Sequence, residues 1–512
     1  MNSNFLEKAR LNEPQLYEEI VKPMQYGVPV RDASQWFQYR FEEKPEPEKV
    51  TAGESFYIDF GDHYTGHLSF RMCDAGSYPD APVKVHIKFA ENLYELEYDF
   101  DQYNGGLVSS WLQEETLYID STGRVELPRR YAFRYLKFTM DPRGLRRVPM
   151  RFVDFELRAT TSAEESSCKP FEGDEELKVI DKIGCRTLRE CMQRVFEDGP
   201  KRDRRLWVGD LRVQALTGYY AFPSESTLKL VRKCLYLFAG HTKAGDRVPQ
   251  AVIEDNAGTH SDGGVLVDYA LLYVVTLCDY FEYTKDASVV DDLFALADEQ
   301  LRIAWEDSDE NIVRDKEGWW TFIDWCDGLR KTASLQGVLL YTLKKMICLC
   351  EQTGRLDKAE EYKEKYRVLC EAAMDKLYNK ETEFFQSAHD KNQLSVHSQV
   401  WMILGGVVEG EEAKALLQRT LDNKEALRAV SPYMHHYVLE AMFLVDMKEE
   451  AKEYLKAYWG EMVRRGADTY WEVFVPDNFE ATLDENCDGP VINSSCHAWS
   501  CSASYFVRKY FA

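Results

Sequence analysis

A chain of 512 residues is long enough for two to four domains, and its net charge of −24 argues against nucleic acid or anionic membrane as a partner, since both require a basic surface. Hydrophobic residues make up 45% and charged residues 29%, the balance of a globular protein. No apolar stretch reaches the roughly 18 residues of a membrane span, and the N-terminus lacks a signal-peptide pattern. We therefore predict a cytoplasmic protein that acts on a small molecule, with its 13 cysteines reduced.

Period-two alternation with β-branched and aromatic residues predicts strands in the N-terminal third of the chain. Residues 1–50 have mixed character and are predicted as a helical or extended lead-in, followed by a β-sandwich over 51–160. A polar linker is predicted over 161–173. The strands expected in the sandwich are SFYIDFG (55–61), HLSFRM (67–72), VKVHIKFA (83–90), ETLYID (115–120) and RYLKFTM (134–140).

Helical periodicity dominates from residue 174 to residue 512 and predicts twelve helices, which make six hairpins. A closed ring of six hairpins is an (α/α)6 barrel. The predicted fold class is therefore mainly α, with a six-hairpin toroid preceded by the β-sandwich domain. The twelve predicted segments are 174–197, 210–222, 225–241, 264–285, 287–308, 332–354, 357–378, 396–408, 411–422, 431–447, 449–465 and 495–511.

Long and short connections alternate along this helical region. Connections inside the pairs that start at 210, 264, 332, 396 and 431 have one or two residues, whereas the other six have eight to twenty-nine. Every second connection in an up-and-down ring lies at the same end, so all six long loops are predicted to share one face. Long loops in compact domains are usually functional, and one end of the ring is therefore predicted to be a site. The long loops are 198–209, 242–263, 309–331, 379–395, 423–430 and 466–494.

These loops combine carboxylates with tryptophans, which is typical of a carbohydrate site. Sugar rings stack their C–H faces on aromatic rings, and their hydroxyl groups bond to Asp, Glu, Arg and His. Hydrolysis of a glycoside needs two carboxyl groups across the scissile bond. No nucleotide-binding, hydrolase-elbow or metal-ligand motif is present, so no metal or cofactor is predicted. The relevant stretches are EDGPKRDRRLWVGD (197–210), GDRVPQAVIEDNAGTHSDGG (245–264), GWWTFIDWCDG (318–328), GADTYWEVF (466–474) and SSCHAWS (494–500).

From about residue 50 to residue 512 the chain resembles the α-L-rhamnosidases of glycoside hydrolase family 78. DGPKRDRRLWVGD (198–210) is similar to the family signature Asp-Cys-Pro-x-Arg-Asp-Glu-Arg-Leu-Gly-Trp-x-Gly-Asp. A C-terminal β-domain, usual in the family, is not expected because the sequence ends with the twelfth predicted helix. Further matching stretches are FYIDFGDHYTGHLSFRM (56–72), RYLKFTM (134–140), DYALLYVVTLCDYFEYTKD (268–286), IDWCDG (323–328), TYWEVF (469–474) and SSCHAWS (494–500).

The resemblance implies an exo-acting, inverting glycosidase that removes a terminal deoxy-sugar from small rhamnoside-like glycosides. It assigns Glu472 as the general base that activates water. Asp198, Trp207, Asp210 and His497 correspond to sugar-contacting positions, with Asp324 and its neighbouring tryptophans beside them. The complete set of predicted substrate-binding residues is Asp198, Arg202, Asp203, Arg204, Trp207, Asp255, Trp319, Trp320, Trp325, Trp471 and His497.

One position departs from the family pattern, because Arg204 stands where the family has its general-acid glutamate, and the Gly before Trp207 is missing. An arginine stays cationic near neutrality and cannot serve as a proton donor. Asp210, Asp324 and Glu254 are ranked close together as substitutes. Asp203 is ranked behind them because the adjacent arginines favour its ionised form.

Three alternatives remain at the level of sequence. The charges of 201–205 are alternatively a structural ion-pair cluster with Asp198 and Asp203. The protein is alternatively a carbohydrate-binding homologue that has lost its acid and does not hydrolyse. A third interpretation is a uronate-directed lyase on a similar toroid, with Arg204, Tyr470 and His497 as its working residues.

Overall fold

A computed structural model describes residues 2–76, 78–143, 148–255, 257–315, 319–389, 392–476, 478 and 491–512. Within these residues an antiparallel nine-stranded sheet precedes a ring of twelve helices. The sheet runs in the order β1-β9-β4-β8-β5-β6, with β2 and β7 also paired to β4, and with β3 paired to β2. The strands are β1 Tyr17–Val21, β2 Gln25–Arg31, β3 Tyr39–Glu43, β4 Ser55–Asp74, β5 Val83–Ala90, β6 Glu114–Ile119, β7 Gly123–Glu126, β8 Tyr131–Met140 and β9 Met150–Thr161.

Strand β4 joins two strands that the sequence predicts separately, because it continues unbroken for 20 residues. Its first half pairs with β2 and β8, and its second half pairs with β7 and β9. The register with β8 shifts between Asp59 and Tyr64, which marks an irregularity where the strand changes partners. Phe56 from the first half and Phe70 from the second half both pack against Phe138 of β8, so the two halves share one core.

The predicted lead-in contributes to this sheet, so the sheet begins at Tyr17 rather than at residue 51. Strand β1 reads YEEIV and β3 reads YRFEE, and most of their side chains are exposed or half-buried. Edge strands with such polar sequences lack the clear alternation that identified the central strands. Strand β9 was not predicted either, although it pairs with both β1 and β4.

Helix α1, Ser3–Leu11, lies against the barrel rather than against the sheet that follows it. Phe5 stacks with Tyr236 at a centroid distance of 6.2 Å, and Lys8 forms an ion pair of 2.5 Å with Asp292. A Cβ at Gly240 would lie 2.4 Å from a methyl carbon of Leu6, so the close approach of α1 requires glycine there. Helix α1 thus packs on the barrel and connects it to the β-domain that follows in sequence.

The helical region is an (α/α)6 barrel, as predicted. Helices α4, α6, α8, α10, α12 and α14 contact one another in a closed inner ring, and the remaining barrel helices pack outside them. The barrel helices are α3 Glu175–Cys191, α4 Val208–Ala221, α5 Glu225–His241, α6 Val267–Thr284, α7 Ala287–Glu306, α8 Thr332–Gln352, α9 Leu356–Lys376, α10 Val396–Leu404, α11 Gly410–Asp422, α12 Pro432–Leu444, α13 Lys448–Arg464 and α14 Ser502–Tyr510. A short helix α2, Leu93–Glu97, belongs to the β-domain.

One buried arginine ties four inner helices together. Arg212 on α4 donates to Asp279 on α6 at 2.9 Å, to Glu440 on α12 at 3.0 Å and to Tyr341 on α8 at 2.8 Å. A buried charge persists only when it is paired, so this cluster fixes the ring around its axis. Inner helix α8 has the length and composition of a membrane span, but 78% of its apolar window is buried in the barrel.

Several of the long connections contain short paired strands. The second loop contains β11, Ala251–Asp255, and β12, Gly258–Ser261, and β11 also pairs with β10, Leu206–Trp207, of the first loop. This pairing brings the first two loops side by side over the barrel mouth. Two further hairpins are β13 Ser308–Asp309 with β14 Ile312–Val313, and β15 Tyr378–Asn379 with β16 Phe384–Phe385.

Candidate active site

A cavity of about 510 Å³ opens at the barrel end that carries the long connections. Four of the six long loops contribute to its walls, and a segment of the β-domain, 106–111, supplies part of one side. The carboxyl groups around it belong to Asp198, Asp203, Asp210 and Glu472. The aromatic rings around it belong to Trp111, Trp207, Tyr269, Trp320, Phe322, Trp325, His497 and Trp499.

Glu472 lies at the buried end of this cavity, with 2% of the residue exposed. Arg202 forms an ion pair with one carboxylate oxygen, and the backbone N–H of Ser494 donates to the other at 2.8 Å. Burial opposes the charged form, but Arg202 and His497 outweigh it and lower the pKa of Glu472. Glu472 is therefore held ionised, as a general base must be.

Backbone hydrogen bonds connect the three segments that carry these groups. The N–H of Glu472 donates to Ser494 at 3.0 Å, and the N–H of His497 donates to Tyr470 at 2.9 Å. The N–H of Ala498 donates to the carbonyl of Asp198 at 2.7 Å. The first and the sixth long loops are thus joined directly, which fixes Glu472 opposite the acids of the first loop.

A buried lysine joins the same two loops to the β-domain. Lys201 is 1% exposed and forms ion pairs with Glu95 at 3.0 Å and with Glu91 at 3.3 Å, both in the β-domain. It also donates to the carbonyl of Asn493 at 2.6 Å. Arg202 directly follows Lys201, and Ser494 directly follows Asn493. Lys201 therefore fixes the chain next to both residues that hold the carboxylate of Glu472.

Asp198, Asp210 and His497 form the polar core of the cavity. Burial, together with the neighbouring carboxylates, raises the pKa of both Asp198 and Asp210, whereas burial lowers the pKa of His497 to about 4. Oδ1 of Asp210 and Nδ1 of His497 lie 3.7 Å apart, too far for a hydrogen bond, and neither has a partner among the described residues. Buried polar atoms of this kind are suited to a ligand's hydroxyl group.

Asp203 lies nearer the opening, with 21% of its side chain exposed against 3% for Asp210. Its backbone has φ of +63°, and Arg204 follows with +51°, so the chain turns through two left-handed residues. The turn is closed by a hydrogen bond from the N–H of Arg204 to the carbonyl of Gly199 at 3.2 Å. This sharp turn directs Asp203 into the cavity and Arg204 out of it.

The three arginines that follow Lys201 point in different directions. Arg202 pairs with Glu472 and, at 3.4 Å, with Asp203, whereas Arg205 lies 3.9 Å from Asp262. Arg204 does not line the cavity and donates towards Gln113 of the β-domain at 3.5 Å. Burial and the nearby Arg130 lower the pKa of Arg204 to about 10. The predicted role of Arg204 in binding the substrate is therefore corrected.

Two of the predicted acids, Asp324 and Glu254, do not reach the cavity. Asp324 is buried and accepts hydrogen bonds from His397 at 2.7 Å and from the N–H and hydroxyl of Ser431 at 3.0 and 2.6 Å, at the start of α12. Burial opposes its charged form, but these partners lower the pKa of Asp324, which does not suit a proton donor. Glu254 instead forms ion pairs with Arg194 at 2.9 Å and with Lys233 at 2.8 Å.

Three further predicted binding residues also lie outside the cavity. Asp255 is exposed and caps the turn between β11 and β12 by accepting from the N–H of Gly258 at 3.1 Å. Trp471 stacks with Trp36 at 6.1 Å on the far side of the sixth loop. Trp319 faces a neighbouring cavity and lies beneath Arg247, 4.5 Å from its guanidinium carbon. Their residue types suggested a sugar site, but their side chains point away from it.

Gln250, Tyr269, Trp499 and the segment 106–111 line the cavity without having been singled out. Trp499 belongs to the SSCHAWS stretch, and its indole N–H donates to the carbonyl of Glu472 at 3.0 Å. Tyr269 lies in the first turn of helix α6, which follows the second long loop. No sequence signal connects 106–111 with the barrel, because the contact depends on how the two domains pack.

Comparisons with known proteins identify the family of the chain. The model of the glycosyl hydrolase family 78 α-rhamnosidase N-terminal domain matches residues 28–143, and that of the bacterial α-L-rhamnosidase six-hairpin glycosidase domain matches residues 171–511. The chain belongs to glycoside hydrolase family 78. This family 78 protein is therefore a glycosidase, as the sequence predicted. The comparison with curated proteins finds no match.

Solved structures extend the comparison. A rhamnosidase from Klebsiella oxytoca with rhamnose bound is 37% identical, with a TM-score of 0.95, and the match covers 100% of this chain and 99% of that one. The family 78 rhamnosidase of Bacillus sp. GL1 is 21% identical, with a TM-score of 0.74 over 92% of this chain. The Streptomyces avermitilis α-L-rhamnosidase complexed with L-rhamnose is 17% identical, with a TM-score of 0.67 over 97% of this chain. The present chain spans only 49% of the Bacillus protein and 44% of the Streptomyces protein, and both share its fold.

Proposed function

We propose that this glycosidase hydrolyses terminal α-L-rhamnosides by an exo-acting, inverting mechanism. The observation that carries the proposal is a cavity shared by Glu472, whose pKa is lowered, and by Asp198 and Asp210, whose pKa values are raised. The 37% identical protein from Klebsiella oxytoca has rhamnose bound, which supports rhamnose as the sugar. Tyr269, Phe322 and Trp499 are buried rings that line the inner part of the cavity, which favours a single terminal sugar unit.

Glu472 is proposed to take a proton from the attacking water. A base must be ionised when the substrate binds, and the ion pair with Arg202 keeps the carboxylate in that form. The N–H of Ser494 holds the second carboxylate oxygen, so the orientation of the group is fixed before the substrate arrives. A water placed between Glu472 and the anomeric carbon gives inversion of configuration.

Asp203 is proposed to donate the proton to the leaving oxygen. In exo cleavage the aglycone lies at the opening, so the acid must also be there, and Asp203 is the most exposed of the four carboxyl groups in the cavity. Arg204 and Arg205 turn away from Asp203, towards Gln113 and Asp262, so the sequence overstates how many arginines contact it. Asp210 lies deeper, and its raised pKa suits a neutral carboxyl group that binds a sugar hydroxyl.

Proton NMR of the wild-type protein with methyl α-L-rhamnoside tests the reaction and its stereochemistry together. Inverting hydrolysis releases β-L-rhamnose first, and the α-anomer then grows by mutarotation. Release of α-L-rhamnose first would contradict inversion while leaving the hydrolase assignment intact. Absence of hydrolysis at millimolar substrate, beside active cleavage of another L- or D-glycoside, would contradict rhamnose as the sugar.

The geometry does not favour the lyase interpretation. Arg204 points towards the β-domain, and the hydroxyl of Tyr470 donates to the carbonyl of Ile180 at 3.0 Å, so neither joins His497 in the cavity. Action on small glycosides in the cytoplasm, predicted from the sequence, is retained as part of the proposal. Cell fractionation with an antibody to the protein tests the location.

A further inference from the structure

Two cysteine thiols meet where the first and the last helix of the barrel pack together. Cys168 lies in the linker that follows β9, and Cys185 lies in the second half of α3. Arg508 of α14 reaches the same point. We propose that Cys168 and Cys185 form a reversible oxidation site, in which Cys168 reacts with a hydroperoxide and Cys185 then closes a disulfide with it.

Cys168 has the surroundings of a reactive thiol. The thiol of Cys185 donates a hydrogen bond to its sulfur, and a guanidinium N–H of Arg508 donates to the same sulfur at 3.5 Å. The hydrogen bond from Cys185 and the charge of Arg508 outweigh burial and the nearby Asp181, and they lower the pKa of Cys168 to about 7. Cys168 is half-buried rather than enclosed, so a small oxidant has access to it. A partly exposed thiolate beside a cation is the nucleophilic form of cysteine.

Arg508 is held in place by partners other than the thiol. Its guanidinium donates to the two carboxylate oxygens of Asp181, at 2.7 and 2.8 Å, and to the carbonyl of Tyr220 at 3.2 Å. The cation therefore stays beside Cys168 whether the sulfur is charged or not.

Cys185 is suited to the second step of the reaction. The residue is 7% exposed, and its sulfur lies 3.6 Å from Oδ1 of Asp181. The hydrogen bond with Cys168, together with burial, raises the pKa of Cys185 well above its ordinary value. Cys185 therefore rests as a neutral thiol while Cys168 carries the charge. This difference makes Cys168 the residue that attacks the oxidant and Cys185 the residue that resolves the product.

The proposed reaction has two steps. The thiolate of Cys168 attacks one peroxide oxygen, the O–O bond breaks and a hydroxide or alkoxide leaves, so the sulfur is oxidised by two electrons to a sulfenic acid. The sulfur of Cys185 then attacks the sulfenic sulfur, and its proton leaves with the hydroxyl group as water. A thiol reductant reverses the disulfide. Such a transient disulfide is compatible with cysteines that rest in the reduced form.

Other cysteines of the described chain show what this site requires. Cys191 and Cys496 also form a hydrogen bond with each other, but both are 0% exposed, so a dissolved oxidant has no access to them. Cys348 is exposed, but Cys350 lies two positions further along the same helix and faces another way. Cys168 and Cys185 combine contact with access.

Peptide mapping of the intact chain after brief treatment with hydrogen peroxide tests the site. Trypsin releases Cys168 in the peptide 159–178 and Cys185 in the peptide 183–186, so a disulfide joins two peptides that are otherwise separate. We expect this link in the native wild-type protein, its loss on treatment with dithiothreitol and its absence in Cys168→Ser. In Cys185→Ser we expect dimedone, a reagent for sulfenic acids, to label 159–178 instead. Cys348 and Cys350 are the internal control and should form no disulfide.

Alkylation by iodoacetamide at pH 7 provides a second measurement. We expect Cys168 to react about tenfold faster than Cys348, although Cys348 is the more exposed, because the thiolate is the reacting form. Reaction at the same rate or more slowly overturns the assignment of Cys168 as the reactive thiol. Unlinked peptides in the wild type, with no dimedone label in Cys185→Ser, overturn the oxidation site, and so does a link that appears only in urea. These readouts do not depend on glycosidase activity, so their failure is separate from failure of the proposed function.

Discussion

Arg202 and Glu472 form a buried ion pair in which the guanidinium holds one oxygen of the carboxylate and the backbone N–H of Ser494 holds the other at 2.8 Å. The two residues are 270 positions apart in sequence and come from the first and the last long loops. Burial alone would protonate Glu472, and the pair reverses that tendency. Arg202 is thus the first of the groups that keep the proposed base ionised, beside His497 and the N–H of Ser494.

Replacing Arg202 is predicted to move the acidic limb of the pH–rate profile. Glu472 is active when deprotonated, and its lowered pKa places the acidic limb below 4.5, the ordinary value for a glutamate. Arg202→Met removes the cation but keeps most of the side-chain volume, so the limb should move upwards by about 1 to 3 pH units. Arg202→Lys keeps the charge and should move it less. An acidic limb of kcat/KM that stays in place in Arg202→Met would show that another group sets the charge of the base.

Replacing Lys201 is predicted to loosen the β-domain from the catalytic loops. Lys201→Met removes the buried cation that Glu91 and Glu95 share, and loss of one partner from a buried ion pair costs about 3 to 5 kcal/mol of unfolding free energy. Urea denaturation measures this loss. Lys178→Met is the matched control, because Lys178 is paired with Glu175 on the surface and its loss should cost less than about 1 kcal/mol. Similar losses in both variants would contradict the structural role of Lys201.

Asp203 and Asp210 are predicted to differ in their dependence on the leaving group. An activated leaving group needs little protonation, so Asp203→Asn should cleave 2,4-dinitrophenyl α-L-rhamnoside at close to the wild-type rate. The same variant should lose about 10²- to 10⁴-fold in kcat on methyl α-L-rhamnoside, a typical contribution of a general acid. Asp210→Asn should weaken the turnover of both substrates, because it alters a contact with the sugar itself. The reverse pattern would make Asp210 the acid.

The barrel could be predicted because the sequence patterns that indicate it are periodic and recur along the chain. Twelve apolar helical patterns and strictly alternating loop lengths specify a ring, and no single residue decides the outcome. The central strands of the sheet show a clear apolar alternation in sequence, and the edge strands do not. Strand β4 carries a clear apolar alternation, whereas β1 has three exposed residues among its five and gives little signal.

The site was predicted less completely, and Asp324 shows why. Trp325 follows it directly and Trp320 lies four residues before it, which suggested a place in the cavity beside them. However, Ile323 has φ of +53°, so the chain reverses just before Asp324, and the carboxylate turns inwards to the start of α12 while Phe322 and Trp325 face the cavity. Local sequence reports which residue types lie in a loop but not which way each side chain points.

Turnover of Glu472→Gln is the most direct test of the central claim, which is that this carboxylate activates water for the cleavage of terminal rhamnosides. The amide keeps the size of the side chain and cannot accept the proton, so kcat on methyl α-L-rhamnoside should fall about 10²- to 10⁴-fold. Asp255→Asn, which changes an exposed acid on the second loop, is the control and should keep wild-type turnover. A folded Glu472→Gln protein that turns over within a factor of a few of the wild type would contradict the account.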